Sequence, residues 1–117
     1  MSELLEALYR GDDERVSELL SGDPELNVFE AAAFGRTDRL RELLDEEPAT
    51  ANAFADDGFQ PLGLACFFGH VGAARLLLDR GADPNLQQGG GFTPLDSARQ
   101  NGDERLERLL LDRGARD

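Results

Sequence analysis

The only cysteine and the only histidine of the chain, Cys66 and His70, lie four residues apart. On a helix this spacing puts both side chains on one face, where a thiol and an imidazole could act as nucleophile and base or as metal ligands. A thiol nucleophile also needs an orienting group and oxyanion donors, and a zinc site needs about four ligands. No third partner lies at a suitable spacing. The pattern therefore favours structural roles for both residues, and a thiol enzyme that uses Cys66 is the alternative.

Two further stretches carry part of a chemical pattern. Residues 87–92, QQGGGF, are rich in glycine but lack the Lys and the Ser or Thr of a phosphate-binding loop. The acidic pair Asp56–Asp57 and the acidic residues 45–47 do not have the pattern of a calcium-binding loop. A flexible turn and solvated loops explain these stretches better. We therefore expect no enzyme activity, no catalytic residue, no metal ion and no cofactor.

The charge of the chain is strongly asymmetric. Its 117 residues carry 24 acidic and 12 basic side chains, a net charge of −12, and every basic residue is arginine. Residues 1–57 hold 16 acids and 5 arginines, which gives −11, whereas residues 58–117 hold 8 acids and 7 arginines, which gives −1. Because acidic surfaces repel phosphates and anionic lipids, we expect neither nucleic acid nor membrane as a partner. A partner that the charge attracts would be basic, although the acid could serve solubility alone.

The composition also bears on size and compartment. A chain of 117 residues that is 40% hydrophobic can form one domain with its own core. No apolar stretch is long enough to cross a membrane, and the acidic N-terminal residues do not form a signal-peptide pattern. A single cysteine excludes an internal disulfide framework. These features predict a cytoplasmic protein, and the exclusive use of arginine indicates a GC-rich, bacterial coding sequence.

An internal repeat determines the expected fold. The heptapeptide LLLDRGA occurs at residues 76–82 and, unchanged, at residues 109–115, a spacing of 33 residues. A Pro-Leu pair, an alanine and a glycine recur at the same spacing. The proline suits the first position of a helix, and the glycine suits the left-handed residue that ends it. The repeat therefore predicts units made of a helix, a turn and a second helix.

The same pattern continues upstream with less identity. Ala31 aligns with Ala65 at an offset of 34, and Ala7 aligns with Ala31 at an offset of 24. The first junction is thus about nine residues shorter than the others, which leaves no room for an extended connection. Because no helix pair can bury its apolar face alone, we expect four stacked pairs in a single domain. Their approximate bounds are 1–27, 28–54, 55–87 and 88–117.

These units resemble ankyrin repeats over nearly the whole chain. Residues 58–85, GFQPLGLACFFGHVGAARLLLDRGADPN, and residues 91–115, GFTPLDSARQNGDERLERLLLDRGA, follow the family line Gly-x-Thr-Pro-Leu-His-x-Ala-Ala-x-x-Gly-His and then Leu-Leu-x-x-Gly-Ala-Asp-x-Asn. The resemblance implies an all-α solenoid of helix-turn-helix repeats with short hairpin-like fingers between the later repeats. Gln60 and Gly63 replace the family's Thr and His in the third unit. We therefore expect a softer turn at that point.

The two end units are expected to act as caps. Arg99 occupies the position that Cys66 has in the preceding unit, and charged residues fill the second helix of the last unit. Polar outer faces of this kind keep the ends of a repeat array in solution. We therefore expect a complete four-repeat domain, monomeric, with self-association as an alternative.

The resemblance also implies a binding surface. In ankyrin repeats the fingers and the first helices line a concave face, and contacts come from the fingertips and from the two residues before the glycine of the first helix. Six of the eight aromatic residues fall at such positions, and only Phe29 and Phe54 do not. The implied positions are Tyr9, Arg10, Ala33, Phe34, Phe67, Phe68, Gln100 and Asn101 on the helices, and Asp56, Asp57, Phe59, Gly89, Gly90 and Phe92 on the fingers, with Gln87 just before.

Clustered aromatic residues are common anchors of protein interfaces, so we predict a protein–protein interaction module with an acid-rimmed aromatic surface. The alternative class is an acidic inhibitor or regulator of a basic, nucleic-acid-binding protein. A structural role for the rings, which would hold the stack together, is the competing interpretation. The residues predicted to contact a partner are Tyr9, Phe34, Asp56, Asp57, Phe59, Phe67, Phe68, Phe92 and Gln100.

Overall fold

The structure is a computed structural model that describes residues 2–88 and 91–116, and the regular elements of that part of the chain are all helical. The α-helices follow one another in four pairs, and each pair is connected by a short turn. The elements are α1 (Glu3–Arg10), α2 (Asp13–Ser21), α3 (Val28–Ala33), α4 (Thr37–Glu46), a 3-10 turn (Pro48–Asn52), α5 (Pro61–Phe67), α6 (Val71–Asp79), α7 (Pro94–Gln100) and α8 (Glu104–Asp112). The predicted all-α repeat fold is confirmed.

The same turn joins the two helices of every pair. An alanine near the end of each first helix is fully buried, and its carbonyl accepts a hydrogen bond from the amide five residues later. The glycine between them is left-handed, with φ between 67° and 78°. Because these residues are the aligned positions of the sequence repeat, one local rule sets all four turns. The alanines are Ala7, Ala31, Ala65 and Ala98, and the glycines are Gly11, Gly35, Gly69 and Gly102.

Reciprocal capping boxes begin two of the first helices. At the start of α3, the Glu30 amide donates to Asn27 Oδ1 and the Asn27 amide donates to Glu30 Oε1, each over 2.9 Å. Thr93 and Asp96 make the equivalent pair at the start of α7, over 3.0 and 3.2 Å. Each box satisfies amide groups that a helix N-terminus leaves without a partner. Thr93 precedes Pro94 directly, so this box forms at the proline that begins α7.

The start of α5 is capped from outside its own repeat. Gly63 is the third residue of α5, as Glu30 is of α3, and it has no side chain that could accept from the N-cap amide. The Gln60 amide therefore donates to Gln88 Oε1, over 3.4 Å. The carboxamide of Gln88 lies directly over Gly63, because a Cβ at Gly63 would come within 1.9 Å of Gln88 Oε1. The softer turn expected from Gln60 and Gly63 did not take this bond from Gln88 into account. A residue before α7 fills the position that Gly63 leaves open.

Two finger-like turns precede α5 and α7, and we call them the first finger (residues 54–59) and the second finger (of which the structure describes residues 87–88 and 91–92). The Ala55 amide donates to the Phe59 carbonyl in the first, and the Gln88 amide donates to the Phe92 carbonyl in the second, each over 2.8 Å. The connection from α2 to α3 is only residues 22–27, against residues 47–60 and 80–93 for the later connections. The absence of a finger at the first junction agrees with the repeat spacing.

Asparagine side chains tie the later helix pairs together. Asn52 Nδ2 donates to the Gly81 carbonyl over 3.0 Å, and Asn52 Oδ1 accepts from the Asp83 amide over 2.7 Å. Asn85 makes the same two kinds of bond with the last loop, over 3.0 and 2.9 Å. Both asparagines belong to equivalent loop positions, so the ties stabilise each loop against the next.

A leucine and alanine core runs along the stack. Its largest fully buried members include Leu40 and Leu44 of α4, Leu77 of α6 and Leu110 of α8. The first pair takes less part in this core, because α1 buries three residues whereas α2 buries none. Burial on this scale stabilises a leucine by about 1.5–3 kcal/mol, so the later pairs contain most of the stabilising contacts.

Candidate functional site

Four aromatic rings from α1, the first finger and the end of α5 form one cluster. Tyr9 stacks against Phe68 with 6.3 Å between ring centroids and lies 5.7 Å from the ring of Phe59. Phe67 packs edge-on against Phe68 at 4.9 Å. Tyr9 therefore reaches past the second helix pair to the third. We call Tyr9, Phe59, Phe67 and Phe68 the aromatic cluster.

Two hollows adjoin the aromatic cluster. The larger has a volume of about 320 Å³ and is lined by Leu8, Tyr9, Phe59, Leu64, Phe67 and Phe68. The smaller has a volume of about 120 Å³ and is lined by Phe59, Phe67, Gln88, Phe92, Ser97 and Gln100. Because Phe59 and Phe67 line both, the two hollows form one continuous apolar surface that connects α1 with α7.

The rings differ in how much of their surface they show to solvent. Phe67 is 46% exposed and Phe92 is 51% exposed, whereas Tyr9, Phe59 and Phe68 are half-buried. Gln88 at the smaller hollow is only 4% exposed, and its Nε2 has no hydrogen-bond acceptor within the described ranges 2–88 and 91–116. The exposed rings of Phe67 and Phe92 therefore offer contact area at the two hollows.

Carboxylates border the cluster on the side of the first finger. The Tyr9 hydroxyl donates to Asp57 Oδ2 over 3.4 Å. Burial first, and the negative charge of Asp57 second, raise the pKa of the Tyr9 hydroxyl above its usual range. Tyr9 is therefore a neutral donor at physiological pH. Asp56, next to Asp57, is exposed.

The structure does not bring every predicted contact residue to the hollows. Phe34 is half-buried, packs against the core and lines neither hollow. Gly89 and Gly90, placed at the second fingertip by the resemblance, lie outside the described residues. Gln88 lines the smaller hollow, whereas the resemblance implies Gln87 as the residue beside the second finger's contact positions. The missing side chain at Gly63 was the signal that a neighbouring residue had to fill that space.

Cys66 and His70 do not form a chemical pair. Cys66 is a free, fully buried thiol, and burial, with a smaller effect from the charge of Asp103, raises its pKa to about 12. A thiol of that pKa stays protonated at neutral pH and is a poor nucleophile. His70 Nε2 lies 2.9 Å from the Ala33 carbonyl and donates to it, so the imidazole ties the third helix pair to the second. This geometry argues against the thiol-enzyme alternative.

Metal sites and membrane spans are missing from the described part of the chain. No group of three or more His, Cys, Asp or Glu side chains within residues 2–88 and 91–116 is placed to hold a metal ion. No helix within the same ranges is both long and apolar enough to cross a bilayer.

Helix pairs joined by one repeated turn, with fingers between the later pairs, define a helical-repeat protein. The family described as "Ankyrin repeats (3 copies)" matches residues 4–88 and again residues 29–117. The chain therefore belongs to the ankyrin-repeat family. Proteins of this family are typically modules for protein–protein interaction rather than enzymes.

Relatives and solved structures agree with this assignment. The human "DNA-binding protein RFXANK" is 36% identical over 77 residues, which are 66% of this chain and 29% of that protein. The mouse "Ankyrin repeat and SAM domain-containing protein 6" is 34% identical over 61 residues, 52% of this chain and 7% of its own length. The human ASB11 ankyrin repeat domain superposes with a TM-score of 0.72 at 34% identity, over 78% of this chain and 41% of that one. The chain thus spans less than half the length of each.

Proposed function

We propose that the aromatic cluster and its two hollows bind another protein, on the concave face that solenoid proteins of this kind use for recognition. The observation that supports this proposal is the continuity of the apolar surface from Tyr9 to Phe92 across two hollows. Tyr9 belongs to the first helix pair, Phe67 to the third and Phe92 to the finger of the fourth. This surface therefore requires the stacked repeats and cannot form on one repeat alone. Rings of this kind supply contact area at low cost in conformational entropy.

The exposure of Phe67 and Phe92 makes a purely structural role for these two rings less convincing. Each leaves about half of its surface in solvent, where it adds little to the burial that stabilises the stack. Tyr9, Phe59 and Phe68 are half-buried and can serve both packing and binding. The proposal therefore assigns Phe67 and Phe92 as anchors and the other three rings as their support.

The charge favours a basic partner and disfavours direct contact with nucleic acid. A net charge of −12 repels phosphates, and the carboxylate of Asp57 contacts Tyr9 of the cluster, with the exposed Asp56 next to it in the chain. One relative is named as a DNA-binding protein, and for this chain we propose that any link to nucleic acid would pass through a protein partner. We place this interaction in the cytoplasm, where Cys66 would remain a free thiol.

The first prediction concerns Phe67→Ala combined with Phe92→Ala. In affinity capture from an extract of the source organism, the wild-type chain should retain a partner that the double variant retains at least about tenfold less, because interface anchors contribute about 2 kcal/mol or more each. Melting temperatures should stay close to the wild-type value, since both rings are exposed.

Leu111→Ala is the matched control, because Leu111 on α8 is an exposed apolar side chain that lines neither hollow. It should retain the partner as the wild type does. Capture should also persist at about 0.5 M salt, where surface charges are screened. Two results together would contradict binding through the aromatic surface and favour the acidic inhibitor. These are complete loss of the partner from the wild type at about 0.5 M salt and wild-type retention by the double variant at low salt.

A further inference from the structure

The missing first finger leaves a slot in the fold. A cavity of about 400 Å³ lies between Ser2 and Leu5 at the start of α1, Phe29 in α3 and residues 54–57 of the first finger. At the later junction before α7, the finger residue Gln88 packs on Gly63 near the start of the preceding first helix, α5. A finger before α3 would by the same rule lie on the start of α1. The slot therefore occupies the place of the absent finger.

The slot has a mixed lining, in which the apolar residues are Leu5, Phe29, Phe54 and Ala55 and the polar ones are Ser2, Asn27, Asp56 and Asp57. Phe54 is 54% exposed, more than any other large apolar side chain of the described residues. Phe29 faces the same cavity and is half-buried, and Leu5 at its floor is buried. Phe29 and Phe54 are also the two aromatic residues that fall outside the predicted binding positions. An exposed ring in a cavity that combines apolar side chains with a few polar groups is typical of a recognition site.

The chemistry of the slot specifies its occupant. Asp56 and Asp57 stand at its edge, so a positive charge on the occupant would be attracted. The amide groups of Phe54 and Asp56, two residues that line the slot, have no hydrogen-bond acceptor within residues 2–88 and 91–116. A second copy of the chain is disfavoured, because its net charge of −12 would repel the first.

We propose that the slot binds an extended, basic segment of a partner protein in place of the missing finger. One apolar side chain of the segment enters between Phe29 and Phe54, and a neighbouring arginine or lysine pairs with Asp56. The connection from α2 to α3 has six residues and the later connections have fourteen, so a segment of about eight residues matches the difference. The slot shares the carboxylates of Asp56 and Asp57 with the border of the aromatic cluster but uses different rings, so variants of the rings distinguish the two proposals.

Synthetic eight-residue peptides can test the slot with the full-length chain. The set varies one position between Leu, Phe and Ser and its neighbour between Arg, Ala and Glu, and binding is measured by fluorescence anisotropy. We expect Leu-Arg and Phe-Arg peptides to bind at least about tenfold more tightly than the Ser or Glu versions. Phe54→Ala should remove that preference, and Asp56→Asn should reduce the advantage of arginine.

The Phe67→Ala/Phe92→Ala double variant separates the two sites, because it should bind the peptides as the wild type does. The melting temperature of Phe54→Ala should be near the wild-type value, since the ring is exposed. Equal binding of all peptides, no binding at all, or loss of binding in the double variant alone would overturn the inference. A dimer that Phe54→Ala dissociates in sedimentation experiments would also overturn it, because the occupant would then be a second copy.

Discussion

At the scale of single residues, position in the repeat decides what each side chain can do. Cys66 stands where the second unit has a buried alanine, so the fold treats it as a small core residue. His70 is the residue directly before α6, and its imidazole donates a hydrogen bond to the Ala33 carbonyl of the neighbouring unit. The two residues that looked most chemical in the sequence are therefore structural. Their spacing on one helical face did not bring them together, because a turn at Gly69 separates them.

The second prediction concerns the pH dependence of stability. The folded pKa of Cys66, about 12, lies above its ordinary value of 9.0. Folding therefore favours the protonated thiol, and this contribution is complete below pH 9 and is lost as pH rises toward the folded value. From pH 8 to pH 10, the free energy of unfolding measured in urea should fall by about 1 kcal/mol in the wild type.

Cys66→Ala gives the control, because alanine fits the same position and cannot ionise. Its unfolding free energy should be nearly flat up to pH 10, apart from the smaller fall that both proteins share as the Tyr9 hydroxyl of the unfolded chain begins to ionise. Thiol labelling provides an independent measurement, and the reagent should react only as fast as the protein opens. Rapid labelling of the folded protein, or equal pH slopes in the two proteins, would contradict this account.

At the scale of elements, the sequence predicted what local rules control. The repeated proline, alanine and left-handed glycine act within a few residues of the chain, so their spacing placed the first helices and their turns correctly. Local sequence patterns could not predict the contact between Gln88 and Gly63, because the two residues belong to different repeats. The meeting of Tyr9 with Phe68 likewise joins residues 59 positions apart in the chain, so no local rule predicts it. Whether these rings bind a partner remains a prediction.

The third prediction tests the contact across the repeat boundary. Replacing a helical glycine by alanine usually stabilises a protein by up to about 1 kcal/mol. Gly63→Ala should instead lower stability by about 1 kcal/mol, because its Cβ would force Gln88 from its buried position and remove the bond to Gln60. In a Gln88→Ala background the same change should become stabilising. The measurement is urea unfolding of the four proteins in a double-mutant cycle.

Gly72→Ala serves as the comparison within a helix that has room. A Cβ at Gly72 would lie 3.6 Å from Thr37 Cγ2, an ordinary contact, so this variant should be slightly more stable than the wild type. If Gly63→Ala stabilises the protein as much as Gly72→Ala does, Gln88 is free to move away, and the capping role assigned to its carboxamide is wrong.

At the scale of the whole molecule, the first helix pair differs from the rest. It contains much of the acid-rich half of the chain, it has no finger behind it, and α2 buries none of its residues. The asparagine ties made by Asn52 and Asn85 connect only the later pairs. Stability in repeat proteins is roughly the sum of each unit and its interfaces, so we expect the first pair to open most easily.

Tyr9 connects this pair with the third through the rings of Phe59 and Phe68 and through its bond to Asp57. The fourth prediction is that hydrogen exchange of the α1 and α2 amides is faster than that of α5 and α6 in the wild type. Tyr9→Ala should accelerate exchange in the first pair by about tenfold or more, since it removes two ring contacts and a hydrogen bond.

Tyr9→Phe separates the contributions, because it keeps the ring and removes only the bond to Asp57, so its exchange should stay within a few-fold of the wild type. The α7 and α8 amides should be unchanged in both variants. Because Tyr9 also lines the larger hollow, opening of the first pair would remove one wall of the proposed binding surface. A variant that exchanges faster in α1 should therefore bind the protein partner more weakly, even though Phe67 and Phe92 are intact. Equal acceleration throughout all eight helices would instead show that the stack unfolds as one unit.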